Sequence, residues 1–275
     1  MQTDLVSEQF EQQGFVLIKQ LIEPSTIAKL QNFCQHLDDK AKSHYFLGQS
    51  LDNIAITQNA DTPYISRINS LFLFEPQFAC LLAHTKLMNY VEALIGEPAL
   101  PTYESIVIKH SQDTHGFDWH RDMPVSTQTP IITVGIYLDD AKAEHGALKV
   151  IPRSHCSPLS VCDIKRQLTN SELKSLDVTA CAGDVIIHHV NTVHSSARQE
   201  AQAIRRTIYF EFRALSHLIN NPIFPNEWIK KRQTLMKNIQ TLSAKHLQHD
   251  IQLPSDFYET QIQMEAAEYC IEFTK

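Results

Sequence analysis

Helical spacing of apolar residues marks the two ends of this chain, and short β-branched and aromatic runs mark its middle. Residues 6–13 read as a helix that stops at Gly14 and gives way to the apolar run 15–18. Pro24-Ser25 then opens an amphipathic helix, with Ile27, Leu30, Phe33, Cys34 and Leu37 on one face. A further helical stretch over 76–95 ends at Gly96, with Pro98 beyond it. These helices are expected to form a layer outside a sheet. Near the other end, 225–248 predicts a helix whose stripe of Trp228, Leu235, Ile239 and Leu242 suits packing against a core.

Between them, from about 102 to 214, runs rich in Ile, Val, Thr, Tyr and Phe recur at 103–109, 131–138, 147–151, 184–188 and 207–213. Turn-like segments such as His145-Gly146 and Ala182-Gly183-Asp184 separate them. Many short strands with regular breaks predict an all-β core, a sandwich or jelly-roll barrel, with N- and C-terminal helices packed outside. The chain then reads as one domain over 1–275. It has a helical part to about residue 100, a jelly-roll core over about 101–215 and a helical extension over about 216–275.

Composition narrows the function classes. At 43% hydrophobic and 20% charged, the 275 residues suit a globular protein with a sizeable core. A net charge of −7 gives no reason to expect nucleic acid or an anionic membrane as partner. No apolar run approaches the length of a membrane-spanning helix, and the first ten residues lack the basic and apolar regions of a secretory signal. The six cysteines are scattered without a C-x-x-C pair, which fits reduced, mostly structural thiols in a cytoplasmic protein. The expected partner is a small-molecule substrate, bound by a monomer or homodimer.

Candidate chemistry begins at the H-x-D pair His120-Arg121-Asp122. Chance alone supplies roughly 0.8 such pairs in a chain with this many His and Asp, and His36-Leu37-Asp38 is a second. In a strand, residues two apart point to one face and can reach one metal. In a helix the same spacing turns them about 200° apart. His36 and Asp38 fall in the amphipathic helix, whereas His120 and Asp122 flank the strand region. A 2-His-1-carboxylate site, which suits oxygen-activating ferrous iron, needs one more histidine. His145, His155, His188, His189, His194 and His217 are all downstream, and periodicity does not choose among them. Of the adjacent His188 and His189, only one can face inward on a strand. A guanidinium to grip a carboxylate is available where Arg205, Thr207 and Tyr209 share one face of the last strand and Arg206 takes the other.

Four blocks in order then resemble the phytanoyl-CoA dioxygenase family of Fe(II)/2-oxoglutarate oxygenases, over roughly residues 5–215. They are Phe10 through Gly14-Phe15-Val16, His120-Arg121-Asp122, Leu138-Asp139-Asp140 through Gly146 to Pro152-Arg153-Ser154-His155, and Gly183-Asp184 through His188-His189 to His194-Ser195-Ser196. Arg205-Arg206-Thr207, eleven residues after His194, is similar to the family's R-x-[ST].

The resemblance implies a double-stranded β-helix (jelly-roll, cupin-like) fold, with His120, Asp122 and His194 as metal ligands and catalytic centre. It implies Fe(II), 2-oxoglutarate and O2 as cofactor and cosubstrates, and Arg205, helped by Thr207, as anchor of the 2-oxoglutarate C5 carboxylate. His189 becomes a supporting or packing residue and His155 a structural one. Asp122 stands where related halogenases have a small residue, so hydroxylation is favoured over halogenation. Arg153 and His145 depart from the family's usual Gly and Asn, and Gly135 stands where several relatives carry a pocket-facing Trp.

The expected reaction is hydroxylation of an unactivated C–H of a small metabolite, free or CoA-linked, with release of succinate and CO2. The alternative is a metal-binding jelly roll of another class, hydrolase-like or non-catalytic. Tyr103, Thr133, Gly135 and Tyr209 are candidates to line the substrate pocket, and Lys109 either touches 2-oxoglutarate or faces solvent. Lys230-Lys231-Arg232 reads as a solvated helix face rather than a phosphate patch, and 156–180 as a lid or a surface excursion.

Overall fold

The computed structural model describes the chain except residues 1, 50, 58–63, 111–115, 144–145, 199–203, 242–250, 261 and 271–275. Two antiparallel sheets carry the fold. The larger runs β1 (Phe15–Ile18), β9 (Val185–His189), β6 (Ile132–Tyr137), β11 (Arg205–Ala214), β4 (Ala99–Lys109), β3 (Tyr64–Asn69), β2 (Ile54–Thr57). The smaller runs β12 (Glu268–Tyr269), β5 (Phe117–Arg121), β10 (His194–Ser196), β7 (Leu148–Val150), β8 (Leu176–Val178). Helices flank this jelly-roll core.

The period of two sorts the larger sheet's side chains. Ile106, Ile132, Val134, Ile136, Val185, Ile187, Ile208, Phe210 and Phe212 form one apolar face, packed with α2 (Pro24–Phe46), α4 (Thr85–Ile95) and α7 (Asn226–Thr241) into the main core. Removing one such side chain, as in Phe210→Ala, costs about 3–5 kcal/mol. The other face carries Thr133, His188, Thr207, Tyr209 and Glu211 and looks toward the smaller sheet. At one end Phe15, Tyr137 and Ile186 meet Leu148, Val150 and Val178 and hold the two sheets together. The remainder of the inner space is lined by polar groups such as Thr133, His188 and Glu211 together with the apolar Val107, Phe117, Met123 and Met264.

Two expectations change. The β2–β3 pair, which extends the larger sheet beyond β4, was not anticipated. The stretch 76–95 is not one helix: a 3₁₀ segment (Pro76–Ala83) is followed by α4, whose N-cap His84 accepts the Leu87 N–H on Nδ1 at 3.2 Å. Of the stripe predicted on α7, Trp228, Leu235 and Ile239 are buried as expected, whereas Leu242 lies outside the described residues.

The cysteine reading also needs correction. Cys162, in α5 (Val161–Thr169), is disulfide-bonded to Cys270, 108 residues away. No local spacing signals a pair this distant, whereas Cys34, Cys80, Cys156 and Cys181 are free thiols. Among the described residues, no helix is long and apolar enough to cross a membrane.

Candidate active site

Register brings the sequence-distant histidines together. β10 pairs with β5 so that His194 lies opposite His120, and the two rings are 4.2 Å apart. Asp122, one residue past the end of β5, is fixed by its N–H donating to the Val190 carbonyl at 3.0 Å. The three side chains offer ligand atoms that all lie within 4.8 Å of one another. Asp122 Oδ1 is 3.5 Å from His194 Nε2 and 3.8 Å from His120 Nε2.

Neighbouring groups select the atoms left free for a metal. His120 Nδ1 donates to the Asp118 carbonyl at 2.7 Å and His194 Nδ1 to the Thr192 carbonyl at 2.9 Å. A carbonyl only accepts, so each Nδ1 carries the proton and each Nε2 keeps its lone pair. Asp122 Oδ2 accepts from Thr133 Oγ1 at 2.8 Å and His188 Nε2 at 3.0 Å, which leaves Oδ1 for the shared space.

Electrostatics agrees. Burial, reinforced by the His120 charge, pushes His194 down to about 3, and burial also lowers His120. Burial works against ionisation of Asp122, yet His194, His188 and His120 together hold its carboxyl well below the usual range. Neutral imidazoles and an ionised carboxylate are the donor states a divalent metal requires.

A second polar cluster stands on the larger sheet. Arg205 and Lys109 are opposite each other across β11 and β4, and both are buried. Arg205 donates to the Gly146 carbonyl at 2.5 Å, and Lys109 donates to Ser196 Oγ at 2.8 Å and to the Ala197 carbonyl. Among the described residues neither has a carboxylate partner. Among those residues, Arg205 Nε and Thr207 Oγ1 are buried with no hydrogen-bond partner. Two adjacent buried cations and two orphaned donors fit an anion that the described residues do not supply. The solvent-facing option for Lys109 is overturned; burial, then the Arg205 charge, lowers its pKa to about 7.

A cavity of about 300 Å³ opens over Asp122, His120 and His194. Tyr103, Thr133 and Tyr209 line it, but Gly135 does not. The Tyr209 ring covers Gly135, where a Cβ would come within 2.9 Å of Tyr209 Cε1, so this glycine makes room for Tyr209 rather than for a ligand.

Some residues of the site were not anticipated. His188 faces inward and holds Asp122; His189 turns out, packs on Phe10 and His155, and accepts the Asn191 N–H. The flanking Val185 and Ile187 belong to the apolar outer face, so strand alternation alone assigns His188 to the inner one. His155 Nε2 pairs with the Glu11 carbonyl, away from the site, and His145 lies outside the described residues. The cluster 230–232 is not a uniformly solvated face: Arg232 is buried on Glu104 at 2.8 Å and Lys231 pairs with Asp256 at 2.6 Å.

The C-terminal segment supplies the other missed wall. β12 pairs with β5, and Tyr269 stacks on His120 with ring centres 4.8 Å apart. The Glu268 carboxylate receives Arg121 Nη1 at 3.0 Å and the Val161 N–H at 2.9 Å. The disulfide to α5 follows at Cys270. Residues 156–180 therefore hold a strap in place through α5, rather than forming a lid or a plain excursion.

Comparison with known proteins bears on this arrangement. The family model described as phytanoyl-CoA dioxygenase (PhyH) matches residues 10–207. Methylphosphonate hydroxylase of Gimesia maris is 25% identical over 78% of this chain and 82% of its own length. The crystal structure of AviO1 from Streptomyces viridochromogenes Tue57 superposes with a TM-score of 0.67 at 24% identity, covering 78% of this chain and 96% of that one. EctD from S. alaskensis, solved with 2-oxoglutarate and 5-hydroxyectoine, gives a TM-score of 0.63 at 19% identity over 76% of this chain and 75% of that chain.

Proposed function

This chain belongs to the phytanoyl-CoA dioxygenase family, and from that premise we propose that it is an Fe(II)- and 2-oxoglutarate-dependent dioxygenase that hydroxylates an unactivated C–H of a small molecule. The observation that carries the reading is the pairing of two clusters inside one barrel. Two imidazole Nε2 atoms and one carboxylate oxygen converge from β5 and β10, and on β11 and β4 of the other sheet stand two buried cations that have no carboxylate partner among the described residues. His120, Asp122 and His194 would hold the iron, a donor set that leaves neighbouring positions open. Bound iron, 2-oxoglutarate and dioxygen supply the oxidation, with succinate and CO2 as coproducts.

The chain's own residues do the positioning. Arg205, with Thr207 and Lys109, grips the far carboxylate of 2-oxoglutarate and sets its distance from the metal. Thr133 and His188 aim Asp122. Tyr103, Thr133 and Tyr209 bound the space for the substrate, and the strap bearing Tyr269 limits access of water. A hydrolytic metal centre would have no use for the paired cations at Arg205 and Lys109.

The test is iron binding and substrate-dependent succinate release by the wild type and Asp122→Ala. The variant is expected to lose both. Equal iron affinity and equal turnover in the two proteins would refute the ligand assignment.

A further inference from the structure

On the inner face of β11, Glu211 stands six residues along the strand from Arg205. It pairs across the sheet with Thr133, the residue that holds Asp122, and it lines the cavity. Glu211 is 6% exposed, and its Oε1 accepts from Thr102 Oγ1 at 2.6 Å and Arg213 Nε at 2.7 Å. No partner for Oε2 is found among the described residues.

The guanidinium of Arg213 is itself fully buried, and its two outer nitrogens go to Glu265, at 3.2 and 2.7 Å. Glu265 comes from the strap and also lines the cavity. Two carboxylates thus share one cation. Glu265 takes both outer nitrogens of Arg213 and Glu211 only Nε, so with both carboxyls ionised the triad carries one net negative charge, and Glu211 lines the cavity. A buried carboxylate without a full counter-charge is costly. Burial accordingly raises the Glu211 carboxyl above the ordinary glutamate range despite Arg213. A ligand bringing a positive charge would complete the cluster.

We propose that the substrate carries a protonated amine, and that Glu211, with its charge left free by the Arg213–Glu265 pair, is the residue that binds it. This inference rests on the oxygenase reading but names a residue outside the stretch matched by the family model. The opposite charge logic applies at Arg67, on β3 at the level of Val107. Arg67 also lines the cavity, faces the Phe117 ring and has no carboxylate partner among the described residues. A purely anionic substrate would use Arg67 and leave Glu211 idle, and the experiment separates the two.

The probes are the protein amino acids and simple diamines, each paired with its N-acetyl derivative, and methylphosphonate as an amine-free anion. Two measurements are made on the full chain. One is calorimetric titration of the probes, which needs no turnover. The other is succinate release and oxygenated product from the iron- and 2-oxoglutarate-loaded protein. Amine-bearing probes are expected to bind and to stimulate succinate release, and N-acetylation should weaken binding at least about 30-fold. Glu211→Gln should raise the Kd and KM of the best amine by a similar factor, with the KM for 2-oxoglutarate changed less than about twofold. Glu211→Asp should recover part of the loss.

The proposal is overturned if methylphosphonate or the acetylated probes serve as well as the amines, if no amine binds, or if Glu211→Gln leaves amine affinity unchanged. Failure of the oxygenase reading looks different: amines bind in a Glu211-dependent way, but no succinate forms.

Discussion

Arg205 and Glu211 stand six residues apart on the same inward face of β11, and their surroundings differ in the sign of the charge left over. Around Arg205 two buried cations meet, among the described residues, only neutral oxygens, from Gly146, Ser196 and Ala197. Around Glu211 two carboxylates share one guanidinium. A single strand thus presents a positive site and a negative site, while the metal donors come from β5, the residue after it, and β10 of the facing sheet. Their origins differ as well. Arg205 and Thr207 fall within the stretch matched by the family model, which ends at residue 207; Glu211, Arg213, Glu265 and Tyr269 fall beyond it. On the proposed reading, the cosubstrate carboxylate would be met by residues of the matched stretch, and the substrate's charge by residues beyond it.

The largest expected effect comes from breaking the positive end. Arg205→Ala removes a charge-assisted contact in a buried site, a loss of about 2–5 kcal/mol, so the KM for 2-oxoglutarate should rise at least about 30-fold. The KM for the organic substrate should move by no more than about twofold if the ends are independent. Steady-state titration of each reactant at saturation of the other decides this. A matched rise in both values would mean that the two ends share one binding event.

A smaller effect is expected at the other end from Cys270→Ser. The strap is held by four attachments: the disulfide, the bonds of Glu268 to Arg121 and the Val161 N–H, the Arg213–Glu265 pair, and the β12–β5 pairing. Removing one of the four should loosen Tyr269 and Glu265 without freeing them. The substrate KM should rise by about tenfold, well under the cost of a deleted buried charge partner. Iron and 2-oxoglutarate affinities should hold, since none of those donors lies on the strap. A parallel loss of 2-oxoglutarate affinity would break the comparison, by showing that strap and cosubstrate site move together.

The same division governs what could be read from the sequence. His120 and Asp122 were legible because i and i+2 on extended chain share a face, a local rule. Their partner His194 is brought in by cross-strand register with His120, 74 residues earlier in the chain, and only the family resemblance singled it out. Arg205 was legible as the start of an alternating strand. His188 was left undecided against His189 although the apolar outer residues Val185 and Ile187 fix the phase of β9. Gly135 was read as pocket wall because its neighbour across the sheet, Tyr209, could not be placed over it. The strap had no local signature at all. β12 is two residues long, its disulfide partner is 108 residues away, and Glu265 matters only because it meets Arg213. Contacts set by long-range packing leave no periodic trace.

The smallest effect, and the most specific to the positive end, is a proton. Burial and the neighbouring Arg205 charge lower the Lys109 ammonium to about 7, against about 10.4 for a free lysine. Between these values the unfolded chain holds more protons than the folded one, so this group makes ligand-free stability rise with pH across that window. A bound dicarboxylate reverses the balance by favouring the charged ammonium. Above about pH 7, 2-oxoglutarate binding should therefore take up a proton, and affinity should fall with rising pH by at most about tenfold per unit. Calorimetry at about pH 8 in buffers of different ionisation heat measures the uptake directly, and Lys109→Met should abolish it. If the wild type binds 2-oxoglutarate with no proton uptake, Lys109 is not at the carboxylate. The positive end would then be Arg205 alone, one guanidinium set against the one uncompensated glutamate at the other end of β11.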